Sequence, residues 1–133
     1  MQVEQGKIRE FARATKTGLS AYQGPNALIP PTFLTTAGNL WASSPDSKLQ
    51  ESLGFNLAHV LHGEEDFQFF GPLPQAGQTL RVDTRIGDRW EKQGKRGGTM
   101  RFAVIVTEYR DSGGSLVAEQ RTTIIETAQP PEA

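Results

Sequence analysis

Cysteine is absent from the 133 residues, which excludes a disulfide scaffold, a thiolate nucleophile and a cysteine zinc site. Positive charge is not in excess: fourteen Lys and Arg face fifteen Asp and Glu, for a formal net charge of −1. Nucleic-acid binders normally carry a basic excess or stripe, so nucleic acid is not an expected partner. No apolar run approaches the roughly 20 residues of a spanning helix, and no membrane partner is expected. The opening Met1-Gln2-Val3-Glu4-Gln5 lacks the basic-then-apolar order of an export signal. The expected location is therefore the cytoplasm. Histidine is scarce, with two in the chain, so any proton chemistry by imidazole falls to His59 or His62.

What is present suits one domain large enough to bury its own core. The expected domain covers residues 1–128, with residues 129–133 as a disordered tail. Ile8, Phe11 and Ala12 recur at helical spacing and predict a short amphipathic helix within residues 3–15. Residues 18–31 hold Gly24-Pro25 and Pro30-Pro31 and read as loop. Residues 32–41 are apolar and predict a short strand leading into a helical turn. Residues 42–52 read as an exposed polar connection.

The second half is mostly β. Strands are expected over residues 57–70, 79–90, 99–109 and 115–127, with apolar side chains alternating in the middle two. Asp111-Ser112-Gly113-Gly114 is a hairpin signal. Gln93-Gly94-Lys95-Arg96-Gly97-Gly98 is a glycine-rich, basic connection. Such strands are longer than usual and suit an antiparallel sheet that curls around something. One short helix cannot cover the apolar face of that sheet. A helix from residues 35–52, or another chain, has to do so.

Val60-Leu61-His62-Gly63-Glu64-Glu65-Asp66-Phe67 places a histidine beside three carboxylates. On a regular strand positions 62, 64 and 66 share a face, so His62 could act as general acid or base with Glu64 or Asp66 orienting it. The alternative is a structural histidine at an interface. His59 and His62 point to opposite faces of a strand, and their spacing with the acids fits no zinc signature, so no metal is expected. Lys95, Arg96, Gly97 and Gly98 could hold phosphate through backbone N–H groups and charge, or form a solvated hairpin tip. Phe33 and Trp41, with Leu34 and Leu40, could line an apolar binding pocket or belong to the core.

Four ordered pieces carry a resemblance: Ile29-Pro30-Pro31-Thr32-Phe33, Leu61-His62-Gly63-Glu64-Glu65, Pro72-Leu73-Pro74 with Gly77, and Lys95-Arg96-Gly97-Gly98-Thr99. Together they resemble the MaoC-like hydratases and dehydratases, and within them the N-terminal half of a double hot dog hydratase 2. They are also similar to the non-catalytic subunit of two-subunit (3R)-hydroxyacyl carrier-protein dehydratases. The resemblance implies an α+β hot dog fold, a long curved antiparallel sheet wrapped on a helix and paired with a second hot dog protomer. It implies a hydro-lyase of fatty acid metabolism that adds water to, or removes it from, a trans-2-enoyl thioester. No prosthetic group is implied; coenzyme A or phosphopantetheine would arrive as part of the substrate.

The family's catalytic dyad lies in an Asp-x-Asn-Pro-x-His pattern. The nearest match is Gly54-Phe55-Asn56-Leu57-Ala58-His59, with glycine in place of Asp and leucine in place of Pro. A glycine offers no carboxylate, so the expectation is that this chain shapes the acyl site while a homo- or heterodimeric hot dog partner brings the dyad. Two other readings stay open: a self-sufficient homodimeric hydratase using His62, and a non-enzymatic module that binds acyl thioesters.

Overall fold

The computed structural model describes residues 1–40 and 51–129. Helix α1 spans Gln5–Ala14 and a short α2 spans Ala37–Leu40. Four strands follow: β1 (Val60–Phe69), β2 (Arg81–Gln93), β3 (Thr99–Arg110) and β4 (Leu116–Glu126). They form one antiparallel sheet in the order β1-β4-β3-β2, so β1 and β2 are its edges. Among the described residues no helix is long and apolar enough to cross a membrane.

The two hairpins that join β2, β3 and β4 follow from their turn chemistry. Asp111 Oδ1 accepts from the N–H of Gly113 at 2.9 Å and of Ser115 at 3.0 Å, an Asx turn that fixes the β3–β4 connection. In the β2–β3 connection Gly97 and Gly98 have φ of 88° and 75°, the left-handed region that glycine enters without penalty. Along the β1–β4 ladder, β1 takes eleven steps from His59 to Phe70 while β4 takes ten from Thr127 to Val117, as their hydrogen bonds show. One extra residue is thus accommodated in β1, as in a β-bulge.

Among the described residues the chain divides into two compact units. One comprises residues 1–40, 67–83 and 108–119, the other residues 51–66, 84–107 and 120–129. The first unit's core joins Ile8 of α1, Ile29, Phe33, Leu34, Leu80, Tyr109 and Ala118. Each large side chain buried there contributes about 1.5–3 kcal/mol. The Tyr109 hydroxyl donates to the Leu34 carbonyl at 3.0 Å inside that core. Phe67 and Phe69 pack against it together, whereas Phe70 is exposed, as alternation along a strand requires. The second unit's core is smaller: Leu53, Ala103 and Ile105, with Phe55, Ile86 and Ile124 packed on it.

Two elements differ from expectation. Residues 33–40 contain no strand; a 3-10 turn over Phe33–Thr36 runs into α2. The hydroxyls of Thr35 and Thr36 donate to the carbonyls of Thr32 and Phe33 at 2.7 and 2.8 Å, local bonds that favour a tight turn over an extended segment. The first expected strand starts late: Leu57–His59 is a 3-10 turn and the strand begins at Val60. Residues 42–50 of the connection expected over 42–52, Trp41 and residues 130–133 of the tail lie outside the described residues.

Candidate functional site

Among the described residues, edge strand β1 presents a histidine–carboxylate pair. Glu65 Oε1 accepts from Gln120 Nε2 at 2.5 Å and from Thr122 Oγ1 at 2.8 Å, both on β4. Its other oxygen, Oε2, lies 3.6 Å from His62 Nε2. Residues three apart face opposite ways on a regular strand. They meet here because the backbone of β1 departs from alternation near this point. Gly63, in the same stretch, admits a close approach from β4: a Cβ on it would lie 2.6 Å from Ile125 Cδ1. The carboxylate that His62 faces is therefore Glu65, not Glu64 or Asp66. The register shift that selects Glu65 has no signature in the spacing of residues 62–66.

Chemically the cluster holds one carboxylate in a fixed orientation between two neutral donors and an ionisable ring. At 3.6 Å the His62–Glu65 approach is an ion pair when the ring is protonated, not a hydrogen bond. The His62 side chain is 74% exposed and that of Glu65 27%. Water therefore competes for the ring, and nothing orients its second nitrogen towards a bound reactant.

The six residues that approximate the dyad pattern form a pinned turn in the second unit. Asn56 caps it, its Oδ1 accepting from Ala58 N–H at 3.1 Å. Its own N–H donates to Glu126 Oε1 at 2.6 Å. Arg101 donates through Nε to Glu126 Oε2 at 2.5 Å and through Nη2 to the Gly54 carbonyl at 3.1 Å. Arg89 donates to the Leu53 carbonyl at 2.6 Å. The Phe55 ring has the Arg101 and Arg89 guanidiniums 5.0 and 6.0 Å from its centroid. The His59 ring meets the Thr127 carbonyl through Nδ1 at 3.2 Å. Burial pushes the Glu126 carboxyl up, but the Asn56 N–H, the Arg101 guanidinium and His59 together hold it below the ordinary carboxylate value. Asn56 and His59 thus hold backbone, as their neighbours do.

The glycine-rich hairpin is accounted for by its own geometry. Gly94 N–H donates to the Gly98 carbonyl at 2.9 Å and Gly97 N–H to the Gly94 carbonyl at 3.1 Å. Two of these amides are thereby turned into the hairpin. A Cβ on Gly98 would collide with Ala128 Cβ. Lys95 and Arg96 are exposed at the tip. The nearby Lys92 lies over the Phe102 ring, which stacks on Trp90 at 5.1 Å. Phe33 is 1% exposed and packs edge-on against Phe11 at 5.6 Å, so it belongs to the first unit's core. Among the described residues no group of three His, Asp or Glu could hold a metal ion.

A family model described as FAS1-like, dehydratase domain region, matches residues 1–120. A UPF0336 protein of Saccharopolyspora erythraea is 29% identical, with 98% of this chain and 86% of that protein aligned. The 3-hydroxyacyl-thioester dehydratase Y of Mycobacterium tuberculosis is 38% identical over 53% of this chain and 23% of its own length. Among solved structures, the HadBC 3R-hydroxyacyl-ACP dehydratase complex from Mycobacterium tuberculosis matches with a TM-score of 0.73 at 22% identity, covering 94% of this chain and 88% of that one. A MaoC-like dehydratase matches with a TM-score of 0.76 at 22% identity, covering 96% of this chain and 39% of that one. The α+β architecture is that of the hot dog fold.

Proposed function

The chain belongs to the FAS1-like dehydratase domain region family, and we propose that it is the acyl-binding half of an (R)-specific enoyl-thioester hydratase or 3-hydroxyacyl-thioester dehydratase. A second hot dog protomer supplies the Asp/His dyad. One observation carries this reading: neither of the two histidines has an Asp within ion-pair distance among the described residues. His59 is bonded to a backbone carbonyl, and His62 faces Glu65 from an exposed edge strand. Adding water across an enoyl thioester needs a proton acceptor, a donor and an oxyanion site together, about 3 Å from the reacting atoms and shielded from bulk water. The HadBC relative is a two-component complex by its name, which supports a partnered arrangement here. No prosthetic group takes part; coenzyme A or phosphopantetheine enters with the substrate. In this reading Lys95 and Arg96 meet that carrier's phosphates at the tip of the β2–β3 hairpin, and Trp41 lines the acyl site.

The test is to purify the chain alone and together with a hot dog chain bearing Asp-x-Asn-Pro-x-His, and to follow hydration of crotonyl and longer enoyl thioesters. Negligible turnover alone and turnover with the partner is the expected result. Equal turnover by the chain alone would overturn the partnered reading. Binding of an acyl thioester without turnover in either preparation would favour a non-enzymatic module instead.

A second reading is favoured by the Glu65 cluster. A carboxylate fixed by Gln120 and Thr122 beside an ionisable ring is an acid–base pair that a homodimer could complete. It requires His62 to be drawn out of solvent by the second copy.

A further inference from the structure

Helix α1 and the loop after it enclose an open cleft of about 310 Å³ in the first unit. Ile8 and Ala12 bury one face of the helix, which leaves Arg9 and Arg13, four residues apart, side by side on its flank. The helix then ends in a Schellman turn. Thr17 N–H donates to the Ala12 carbonyl at 2.9 Å and Lys16 N–H to the Arg13 carbonyl at 3.1 Å, with Lys16 at φ 57°. That reversal folds the chain back, so that the turn Ser20–Tyr22 lies along α1. The cleft is what remains between them.

Its lining is one-sided in charge. Arg9 and Arg13 line it, no Asp or Glu does, and the polar groups of Gln5, Thr17, Tyr22 and Gln23 complete the rim. Neither guanidinium makes an ion pair or hydrogen bond with another described residue. The adjacent Glu10 is taken by Lys7 at 2.9 Å. Two like charges at this spacing repel, and a dianion between them relieves that repulsion. Guanidinium forks match phosphate oxygens in pairs. Leu19, 59% exposed beside the cleft, offers an apolar wall to an organic body.

We propose that this cleft binds a phosphomonoester dianion, with Arg9 and Arg13 as its two charged donors. The proposal is independent of the thioester reading, since it concerns binding and not turnover. The experiment titrates the full chain calorimetrically with inorganic phosphate, adenosine 3′,5′-bisphosphate and 4′-phosphopantetheine, and repeats the titrations with Arg9→Gln, Arg13→Gln and the double variant. Saturable binding of at least one organic phosphate, weakened about tenfold by each single variant, is the expected result. Both side chains are exposed, so the melting temperature stays unchanged and reports that the variants are folded. Preference for the bisphosphate points to a nucleotide source, and preference for the pantetheine ester to a carrier arm. Binding of inorganic phosphate alone, equally sensitive to the variants, identifies free phosphate as the ligand. Absence of binding by all three at about 10 mM, or affinity untouched in the double variant, overturns the proposal.

Discussion

His62 Nε2 stands 3.6 Å from Glu65 Oε2, while Gln120 and Thr122 hold the other oxygen of the same carboxylate. Glu65 is thus oriented from β4, and the histidine is an outlying member of the cluster. For the partnered enzyme this predicts that His62→Ala leaves turnover within about twofold of the parent, because a proton carrier on the second protomer does the chemistry. A self-sufficient enzyme would instead lose roughly 10²–10⁴ in rate, the usual contribution of a positioned acid or base. Steady-state kinetics on the complex separates the two. Glu65→Leu carries a different signature: Gln120 and Thr122 lose this acceptor, for about 1–2 kcal/mol in urea unfolding, whichever enzyme reading holds.

Arg101 and Glu126 fix the turn over residues 54–59 from β3 and β4, and their electrostatics predict an acid limb in stability. The folded Glu126 carboxyl is held below its ordinary value: burial opposes this, but the Asn56 N–H, Arg101 and His59 prevail. A carboxyl whose folded pKa is depressed binds its proton more weakly than in the unfolded chain. Its stabilisation is therefore complete above the unfolded carboxylate pKa and is lost as pH falls through the folded one. Melting temperature against pH is expected to fall over that acid window, and Glu126→Gln is expected to flatten the fall. Arg101→Met removes the charged donor and leaves the mostly buried carboxylate with fewer partners. Because the Arg101 side chain is 41% exposed, solvent tempers the loss to about 2 kcal/mol.

The parts of the fold legible in the sequence are those set by neighbours along the chain. Ile8 and Ala12 at helical spacing gave α1 its buried stripe, and Asp111 with Gly113 and Gly114 fixed the β3–β4 hairpin, because both depend on local geometry. The short strand expected within residues 32–41 is not formed over residues 32–40, and the pattern does not decide the point because Phe33 and Leu34 are apolar in either conformation. What decides is the pair of threonine hydroxyls turned back onto the chain. The Tyr109–Leu34 bond, the Arg101–Glu126 pair and the choice of Glu65 over Glu64 join residues 75, 25 and 3 apart. The first two rest on what β3 meets in the fold, the Phe33–Thr36 turn in one case and β4 in the other, and the third on a one-residue shift in register. No periodicity within a single strand carries either kind of information.

The β2–β3 hairpin allows a packing explanation of its glycines to be separated from a ligand-binding one. Gly97 and Gly98 both have positive φ, so alanine at either position is strained by about 1 kcal/mol. Only at Gly98 does a Cβ also meet a neighbour, Ala128; at Gly97 it enters open space. Gly98→Ala is therefore expected to lower stability by about 2 kcal/mol and Gly97→Ala by about half as much. Pairing Gly98→Ala with Ala128→Gly removes the collision but not the strain, so the double variant should recover to the level of Gly97→Ala. Chemical denaturation of the parent, Gly98→Ala, Ala128→Gly and the double variant closes that cycle, with Gly97→Ala measured beside them. If Gly98→Ala proves no worse than Gly97→Ala, or Ala128→Gly rescues nothing, the approach of Ala128 is not what requires glycine at position 98, and the case for a phosphate-binding tip at Lys95 and Arg96 is correspondingly stronger.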